Sequence, residues 1–346
     1  MRFVLYEPGL GYYVSGAAKF GSPGDFVTAP ELTPLFARTV STQIAALLAA
    51  TDGDVVELGA GSGVFAANLL AALADNRMLP ARYRILEPSP ELRVRQRATL
   101  ETRVPALLGH VEWLDELPDS IRGVVLMNEV LDAIPVHIVA RRSGVWFERG
   151  VKVEHGELAF DDSPLDNAML QALASQRFPE AIDYASELNP SAEALVETLG
   201  GRLNAGALIA FDYGFPRHEY YHPQRNEGTL MVHYRHRAFA DPFVWPGLSD
   251  MTAHVDFTAI AEAGVRAGLD VAGYTSQGAL LLGLGILERL AEIGAPDSVE
   301  YMRGAAAVNT LVSPSEMGEL LKVLALARGE GFSWPGFAMT DRRERL

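Results

Sequence analysis

The fold is decided by the stretch Asp54-Val55-Val56-Glu57-Leu58-Gly59-Ala60-Gly61-Ser62-Gly63. A short apolar strand runs into a glycine turn, and a helix is predicted from 64 to about 74. Glycines at such a turn allow a sharp bend and let a ligand approach the backbone without a Cβ clash. A dinucleotide-binding turn, G-x-G-x-x-G, would place its third small residue at position 64, which is Val64. The observed spacing is G-x-G-x-G, and a tight turn without a ligand fits the same residues.

Outward from this turn, predicted strands alternate with predicted helices, which is typical of a doubly wound α/β sheet. The predicted strands cover 54–58, 83–87, 111–114, 123–127, 206–211, 270–274 and 337–339. The predicted helices cover 34–50, 64–74, 90–100 and 257–267, and two or three more fill 279–328. Thr33 and Pro34 have the residue types of an N-cap and a first helical position.

The remaining segments are predicted to be additions to this sheet. Residues 1–32 form an irregular arm over the active site, and 33–346 form the main domain with insertions at about 143–204, 215–253 and 278–330. Segments 136–141 and 146–153 predict a hairpin that turns at Ser143-Gly144, and 165–203 is predicted to be helical. The insertions are expected to build a cap or second lobe.

Composition narrows the classes of function. The 346 residues carry 44 acidic and 29 basic side chains, so the net charge is -15. Nucleic acid and anionic membrane surfaces both require a basic face. A basic protein segment suits this negative charge, and a role in solubility alone explains it equally well. The chain has no cysteine, which excludes disulfides and thiolate chemistry. We expect a cytoplasmic protein, because the apolar stretch 278–286 is too short to span a bilayer and the start does not resemble a signal peptide.

Acidic and polar residues follow the predicted strands at the edge where open α/β sheets bind ligands. Glu87 ends the second strand, 87 − 63 = 24 residues after the last glycine, where a carboxylate can accept hydrogen bonds from both ribose hydroxyls. Leu114 and Asp115 are placed to flank an adenine, and Asn128 and Glu129 to line the pocket. The glycine spacing with its preceding acid resembles class I methyltransferases, whose glycines pack against S-adenosylmethionine.

Several longer segments resemble one family, the MidA-type methyltransferases. The matching segments are Gly11-Tyr12-Tyr13, the run from Phe20 to Glu31, the glycine turn, Asn128 to Ala133, Asp212-Tyr213-Gly214, Glu219-Tyr220-Tyr221 and His254 to Phe257. The resemblance covers nearly the whole chain. Family members usually carry a short helix before residues 5–6, so this chain shows either a variation or a shortened start there.

The resemblance implies a fold, a cofactor and an acceptor. The fold would be a Rossmann-like class I methyltransferase sheet with helical insertions, and the cofactor would be S-adenosylmethionine. The family's eukaryotic members are mitochondrial, assist respiratory complex I and are associated with symmetric dimethylation of an arginine in a core subunit. An arginine-bearing protein segment of a complex I-type subunit is therefore the implied substrate. A homodimer is compatible with the sequence.

Site residues follow from the residue types together with the resemblance. Carboxylates that pin a guanidinium by bidentate hydrogen bonds localise its charge and expose one nitrogen to the methyl group. The catalytic candidates are Glu129, Asp132, Asp25, Asp212 and His254, the last as a proton shuttle. The cofactor-binding candidates are Thr28, Glu31, Glu57, Gly59, Ala60, Gly61, Ser62, Gly63, Glu87, Pro88, Ser89, Leu114, Asp115 and Asn128. Tyr213 and Asp256 are further candidates for the acceptor channel.

Alternatives stay open at this point. Asp132 could cap a helix, Asp25 and Glu31 could serve turn or capping chemistry, and Asp212 could stabilise a loop. The spacing of His233 and His236 suits a metal, but neighbouring arginines oppose a cation, so we expect no metal site. Instead, the aromatic and histidine residues of 215–252 are expected to order a loop over the active site. A small-molecule methyltransferase and a cofactor-binding assembly factor remain competing functions, and Val64 disfavours a nicotinamide oxidoreductase.

Overall fold

A computed structural model describes residues 1–14, 28–180, 182–235 and 237–346. The helices are α1 (Arg2–Tyr6), α2 (Ala29–Leu32), α3 (Pro34–Thr51), α4 (Val64–Asp75), α5 (Pro90–Arg103), α6 (Ala168–Arg177), α7 (Pro190–Arg202), α8 (Arg217–Tyr220), α9 (Phe257–Arg266), α10 (Gln277–Gly283), α11 (Ile286–Ala291), α12 (Val299–Val312) and α13 (Met317–Leu320). Short 3-10 helices cover Tyr12–Val14, Pro105–His110, Pro335–Phe337 and Arg343–Arg345.

The strands belong to three sheets. They are β1 (Asp54–Leu58), β2 (Tyr83–Leu86), β3 (Val111–Leu114), β4 (Ile121–Asn128), β5 (His137–Arg142), β6 (Val145–Glu154), β7 (Glu157–Pro164), β8 (Tyr184–Leu188), β9 (Leu203–Phe215), β10 (Met231–Tyr234), β11 (Arg237–Phe239), β12 (Asp250–Thr252), β13 (Val255–Asp256), β14 (Asp270–Ser276) and β15 (Leu321–Arg328).

The central sheet has the order β14-β15-β9-β4-β1-β2-β3, and β13 adds to β9. Neighbouring strands in this sheet run parallel to each other, except that β15 lies antiparallel to both β9 and β14. The chain winds one way from β1 to β3 and the other way from β4 onward, so a crevice opens at the carboxyl ends of β1 and β4. The predicted doubly wound α/β class is confirmed.

Each face of the central sheet packs on its own layer of helices. Val55 belongs to the apolar core formed with α3, α4 and α10 to α12, whereas Val56 belongs to the core formed with α7 and α9. Neighbouring residues of a strand point to opposite faces, so β1 is buried from both sides. This burial fixes β1, and with it the start of the glycine turn.

Three secondary-structure predictions were wrong. Residues 321–328, predicted as helix, form the strand β15, and seven of its eight residues are buried. Leucine and alanine favour helices, but pairing with β9 and β14 overrides that preference here. The predicted strand at 337–339 is instead the end of a 3-10 turn that starts at Pro335. Within the predicted helical segment 165–203, residues 184–188 form the buried strand β8.

The insertions contain sheets as well as helices. The predicted hairpin is present as β5 and β6, which continue into a four-stranded sheet of order β7-β6-β5-β8. The segment predicted as a His-rich loop contains a three-stranded sheet of order β11-β10-β12. No helix in the described part of the chain is long and apolar enough to cross a membrane.

Candidate active site

A cavity of about 620 Å³ lies at the crevice between β1 and β4. Sites for small ligands commonly have volumes of this size. The predicted site residues that line it are Thr28, Glu31, Glu57, Gly59, Ala60, Gly61, Ser62, Glu87, Pro88, Ser89, Asn128, Glu129, Asp132 and His254. Most of the predicted site residues therefore lie in the wall of one cavity.

The glycine turn needs glycine for two different reasons. Gly59 and Gly61 adopt φ values of 63° and 52°, and both line the cavity. Gly63 has a φ of 82° and does not line the cavity; a Cβ there would lie 2.9 Å from the Cα of Gln96. The first two glycines border the ligand space, whereas Gly63 permits close packing of the turn against α5.

Hydrogen bonds from Ser89 and Gln96 hold Glu87 in place. Its Oε1 accepts a hydrogen bond of 3.0 Å from the backbone N–H of Ser89, and its Oε2 accepts one of 3.0 Å from Gln96 Nε2. Gln96 also donates to the carbonyl of Gly61 at 3.2 Å and accepts from Trp113 Nε1 at 3.0 Å. Gln96 thus joins the glycine turn to the carboxylate. Sequence reasoning missed it, because a glutamine within a polar helix carries no distinctive signal.

Leu114 and Asp115 do not line the cavity, contrary to the expectation that they flank an adenine. Arg93 donates to the Leu114 carbonyl at 2.5 Å and pairs with Asp115 at 2.6 Å. The Asp115 side chain is 92% exposed. These contacts stabilise the ends of β2 and β3, since Arg93 also donates to the carbonyl of Glu87.

The arm reaches the cavity through α2. Glu31 accepts a short hydrogen bond from the Ser62 hydroxyl, which ties the arm to the glycine turn. Thr28 stands at the N-cap position of α2 without a side-chain capping bond and lines the cavity. Glu57 accepts a hydrogen bond of 2.7 Å from Tyr83, and burial raises the pKa of Glu57 to about 7.

Glu129 follows β4 in a strained backbone conformation, with a φ of 53°. Non-glycine residues in this region are uncommon and concentrate at functional sites. Burial, followed by the charge of Asp212, raises the pKa of Glu129 to about 8, although hydrogen bonds from Asn128 and from the Ala29 backbone lower it. The Glu129 carboxyl, which follows β4, is therefore protonated over much of the neutral pH range.

Asn128 supplies an acceptor to the same wall. Its Nδ2 donates to Glu129 at 3.3 Å, while its buried Oδ1 has no hydrogen-bond partner among the described residues. Buried polar atoms are normally paired, so an oxygen of this kind suits a donor group of a bound ligand.

Asp212 has a different place from the one predicted. It is fully buried and does not line the cavity. One carboxylate oxygen accepts from the backbone N–H groups of Val130 and Leu131, at 3.1 and 2.8 Å, and the other accepts from the N–H of Tyr213 at 3.0 Å. Burial raises the pKa of Asp212, and these backbone donors oppose the rise. Asp212 holds the segment after Glu129 and does not face the cavity.

Asp132 lines the cavity and is 4% exposed. Burial, and then the charges of Asp212 and Glu129, hold its pKa well above the usual range. Its carbonyl accepts a hydrogen bond of 3.0 Å from the Ala253 backbone. Residues 129–134 contain no helix, so the capping interpretation does not apply to Asp132.

A second acidic segment, which the sequence analysis missed, also reaches the cavity. Asp250 in β12 is 2% exposed and accepts a hydrogen bond of 2.9 Å from the Tyr13 hydroxyl. Tyr6 and Tyr13 line the cavity and stack at 5.6 Å. Pattern alone could not pair 13 with 250, because the three-stranded sheet was predicted as a loop.

His254 lines the cavity with its ring stacked on Phe215 at 5.3 Å. Burial, and then the charge of Arg225, lowers the pKa of His254 to about 4, so the imidazole is neutral at pH 7. Tyr213 also lines the cavity, whereas Asp256 caps α9 by accepting from the Ala259 N–H. No group of three potential metal ligands occurs in the described ranges. Asp25 and His236 lie outside the described residues.

Comparisons with known proteins agree with this geometry. Residues 35–275 match the model of the family described as "Putative S-adenosyl-L-methionine-dependent methyltransferase". The chain is 28% identical to "Protein arginine methyltransferase NDUFAF7 homolog, mitochondrial" of Drosophila melanogaster, over 95% of this chain and 80% of that protein. It is 26% identical to the mouse protein arginine methyltransferase NDUFAF7, over 94% of this chain and 79% of that protein.

Two solved structures resemble the whole chain. A Burkholderia thailandensis protein bound to S-adenosyl-homocysteine is 49% identical, with a TM-score of 0.95, and the match covers 100% of this chain and 90% of that one. A second structure from the same organism, solved as a native crystal, is 48% identical, with a TM-score of 0.92 and the same coverage.

Proposed function

Because this chain belongs to the family of S-adenosyl-L-methionine-dependent methyltransferases, we propose that it is a protein-arginine N-methyltransferase. Its cofactor is S-adenosylmethionine. The arginine acceptor is supported by relatives named protein arginine methyltransferases and by the acidic wall of the cavity. The observation that carries the proposal is that the glycine turn, Glu87, the half-buried Glu129 and the buried Asp132 border one continuous cavity.

The residues at the β1 and β2 ends fit the cofactor. Gly59 and Gly61 allow its close approach, and Glu87, oriented by Gln96, would accept hydrogen bonds from the ribose hydroxyls. The Oδ1 of Asn128, which has no partner among the residues that the structure describes, would accept from the amino group of the methionine part. When bound, this cofactor supplies an electrophilic methyl group on a sulfonium.

Glu129 and Asp132 would prepare the acceptor. A guanidinium is a poor nucleophile because it is protonated and its charge is delocalised. A carboxylate that accepts two parallel hydrogen bonds fixes its plane and concentrates charge away from the third nitrogen. Alignment of this kind supplies ~7–11 kcal/mol of a barrier in well-oriented reactions. A carboxyl whose pKa is near 8 also suits the proton that the attacked nitrogen releases.

Two measurements test the proposal in sequence. Calorimetry with S-adenosylmethionine, S-adenosyl-homocysteine and NAD should show binding of the first two only. The protein is then incubated with methyl-labelled S-adenosylmethionine and an extract from cells lacking it, and labelled proteins are hydrolysed. Label in methylarginine that disappears with Glu129→Gln is expected. Label in another amino acid, or only in small molecules, would contradict the proposal.

The finer parts of the proposal stay predictions. A complex I-type subunit is the acceptor that the family resemblance implies. The cytoplasmic location rests on the sequence alone, and the arginine methyltransferase relatives are named as mitochondrial proteins. The homodimer is likewise a prediction from the sequence.

A further inference from the structure

We propose that Asp250 is a further acceptor-binding carboxylate, in addition to Glu129 and Asp132. Tyr6 and Tyr13 of the arm position Asp250 together with Asp132. This inference rests on the proposed arginine specificity. It adds a specificity residue from the three-stranded sheet, which lies outside the doubly wound core. It also gives the first 14 residues a role in the reaction.

Asp250 is built into the cavity wall. It is 2% exposed, and its Oδ1 accepts from the Tyr13 hydroxyl at 2.9 Å and from the Met251 backbone N–H at 3.0 Å. Burial of a carboxylate away from water is unfavourable unless hydrogen bonds or a nearby cation compensate for the lost hydration. The two donors orient one oxygen, and the residue faces the same cavity as Glu129 and Asp132.

Asp250 interacts electrostatically with Glu129 and Asp132, the two acids proposed to clamp the guanidinium. Its charge contributes to raising the pKa of Glu129 and of Asp132. Among the described residues, neither Glu129 nor Asp132 forms an ion pair with a lysine or arginine. An entering cation would relieve the repulsion between these acids. The site thus favours a positively charged acceptor before any specific contact is made.

The tyrosine pair joins the two acid-bearing segments. Tyr6 donates to the carbonyl of Ala133 at 2.9 Å, next to Asp132, while Tyr13 donates to Asp250. Their rings stack at 5.6 Å with an interplanar angle of 27°. The backbone N–H of Ala253, the residue directly after β12, donates in turn to the Asp132 carbonyl. Burial raises the pKa of both phenols, so they remain donors at neutral pH.

Two carboxylates from separate segments select for a guanidinium. The guanidinium has five N–H donors spread around a plane, and one carboxylate accepts two of them. A second carboxylate can accept from another edge, whereas an ammonium group presents a single point of charge. Removal of Asp250 should therefore weaken arginine binding more than lysine binding.

The test measures acceptor binding without turnover. The intact protein is saturated with S-adenosyl-homocysteine and titrated with N-acetyl-arginine amide, N-acetyl-lysine amide and N-acetyl-citrulline amide, with binding followed by NMR. We expect Asp250→Asn to weaken arginine amide binding by about 30-fold, the low end for one partner of a buried charge pair, and to reduce the preference over lysine amide. Tyr13→Phe should weaken it by about 10-fold, the low end for one hydrogen bond to a charged group.

Matched controls separate positioning from general damage. Tyr234→Phe and Asp241→Asn make the same two kinds of substitution in or beside the three-stranded sheet, at positions that do not line the cavity. Both variants should bind the arginine amide like wild type. Affinity for S-adenosyl-homocysteine should stay unchanged in every variant. The double variant Tyr13→Phe with Asp250→Asn should equal Asp250→Asn alone, because the tyrosine acts through the aspartate.

The outcomes distinguish the two levels of the proposal. If wild type does not prefer arginine amide over citrulline amide, the proposed function and this inference both fail. If wild type shows the preference and Glu129→Gln removes it, while Asp250→Asn binds like wild type, only the inference is overturned. A loss of cofactor affinity in Asp250→Asn that equals its loss of acceptor affinity would also overturn it.

Discussion

Replacement of Glu129 by glutamine keeps the size of the side chain and removes its charge. Loss of one partner of a buried charge pair costs ~2–5 kcal/mol, and ~1.4 kcal/mol corresponds to a factor of ten. Glu129 is half-buried and Asp132 remains beside it, so the low half of this range applies. We expect kcat/KM to fall by about 30- to 300-fold. Cofactor affinity should be nearly unchanged, since Glu87, the proposed ribose acceptor, follows β2 and Glu129 follows β4.

The pH dependence of this variant provides a sharper readout. In the free protein the pKa of Glu129 is about 8, so below that pH the clamp carries a proton. For wild type, kcat/KM with a cationic acceptor should rise up to about pH 8 and level off above it. The glutamine variant should lack this rise.

The free energy of unfolding should fall as the pH rises, whereas kcat/KM should rise. The folded-state pKa lies above the ordinary value of 4.5, so between 4.5 and about 8 the folded protein keeps a proton that the unfolded chain releases. The free energy of unfolding therefore falls as the pH rises through this window. Glu129→Gln should flatten the fall by about 1–2 kcal/mol, after allowance for partial exposure and shared charge.

The assay combines initial rates from pH 6 to 9.5 with calorimetric melting of the free protein over the same range. A variant with wild-type kcat/KM at pH 8 would refute the clamp. If kcat/KM of the glutamine variant still rises with pH, the titrating group is a residue other than Glu129. Loss of cofactor affinity in parallel with rate would identify general damage to the pocket.

Four further outcomes are expected. Gln96→Ala should weaken S-adenosyl-homocysteine binding by about 10-fold in calorimetry, since Glu87 loses a donor; unchanged affinity would rule out this orienting role. Gly63→Ala should lower the free energy of unfolding by more than about 1 kcal/mol in urea because its φ is 82°, and equal stability would show that the turn relaxes. Asp212→Asn should reduce kcat by at least about 10-fold with unchanged cofactor affinity, because an amide offers a single acceptor oxygen to the backbone donors; a wild-type kcat would contradict its positioning role. His254 should titrate near pH 4 by NMR, and a midpoint near 6.5 would contradict its burial.

Sequence patterns located the parts of the site that are local in the chain. The glycine turn follows β1 directly, Glu87 follows β2, and Asn128 ends β4 with Glu129 next to it. Parallel strands bring their carboxyl ends to one edge, so predicting the strands was enough to predict this wall. The same logic placed Asp115 at this wall, but Asp115 does not line the cavity, pairs with Arg93 and has a side chain that is 92% exposed.

The rest of the site depends on contacts between distant segments. Tyr13 and Asp250 are 237 residues apart, and their pairing requires the three-stranded sheet to fold against the arm. β15 was missed because leucine and alanine prefer helices unless a sheet already offers two neighbours. Asp212 was predicted to line the acceptor channel, but backbone N–H groups of Val130, Leu131 and Tyr213 hold its carboxylate and it does not line the cavity.

A crystal structure of this chain with S-adenosyl-homocysteine and N-acetyl-arginine amide would test the shared cavity most directly. We expect the ribose hydroxyls on Glu87 and the guanidinium on Glu129, with one guanidinium nitrogen facing the cofactor's sulfur. A guanidinium bound outside this cavity, or an adenosyl group placed where the acids stand, would contradict the assignment.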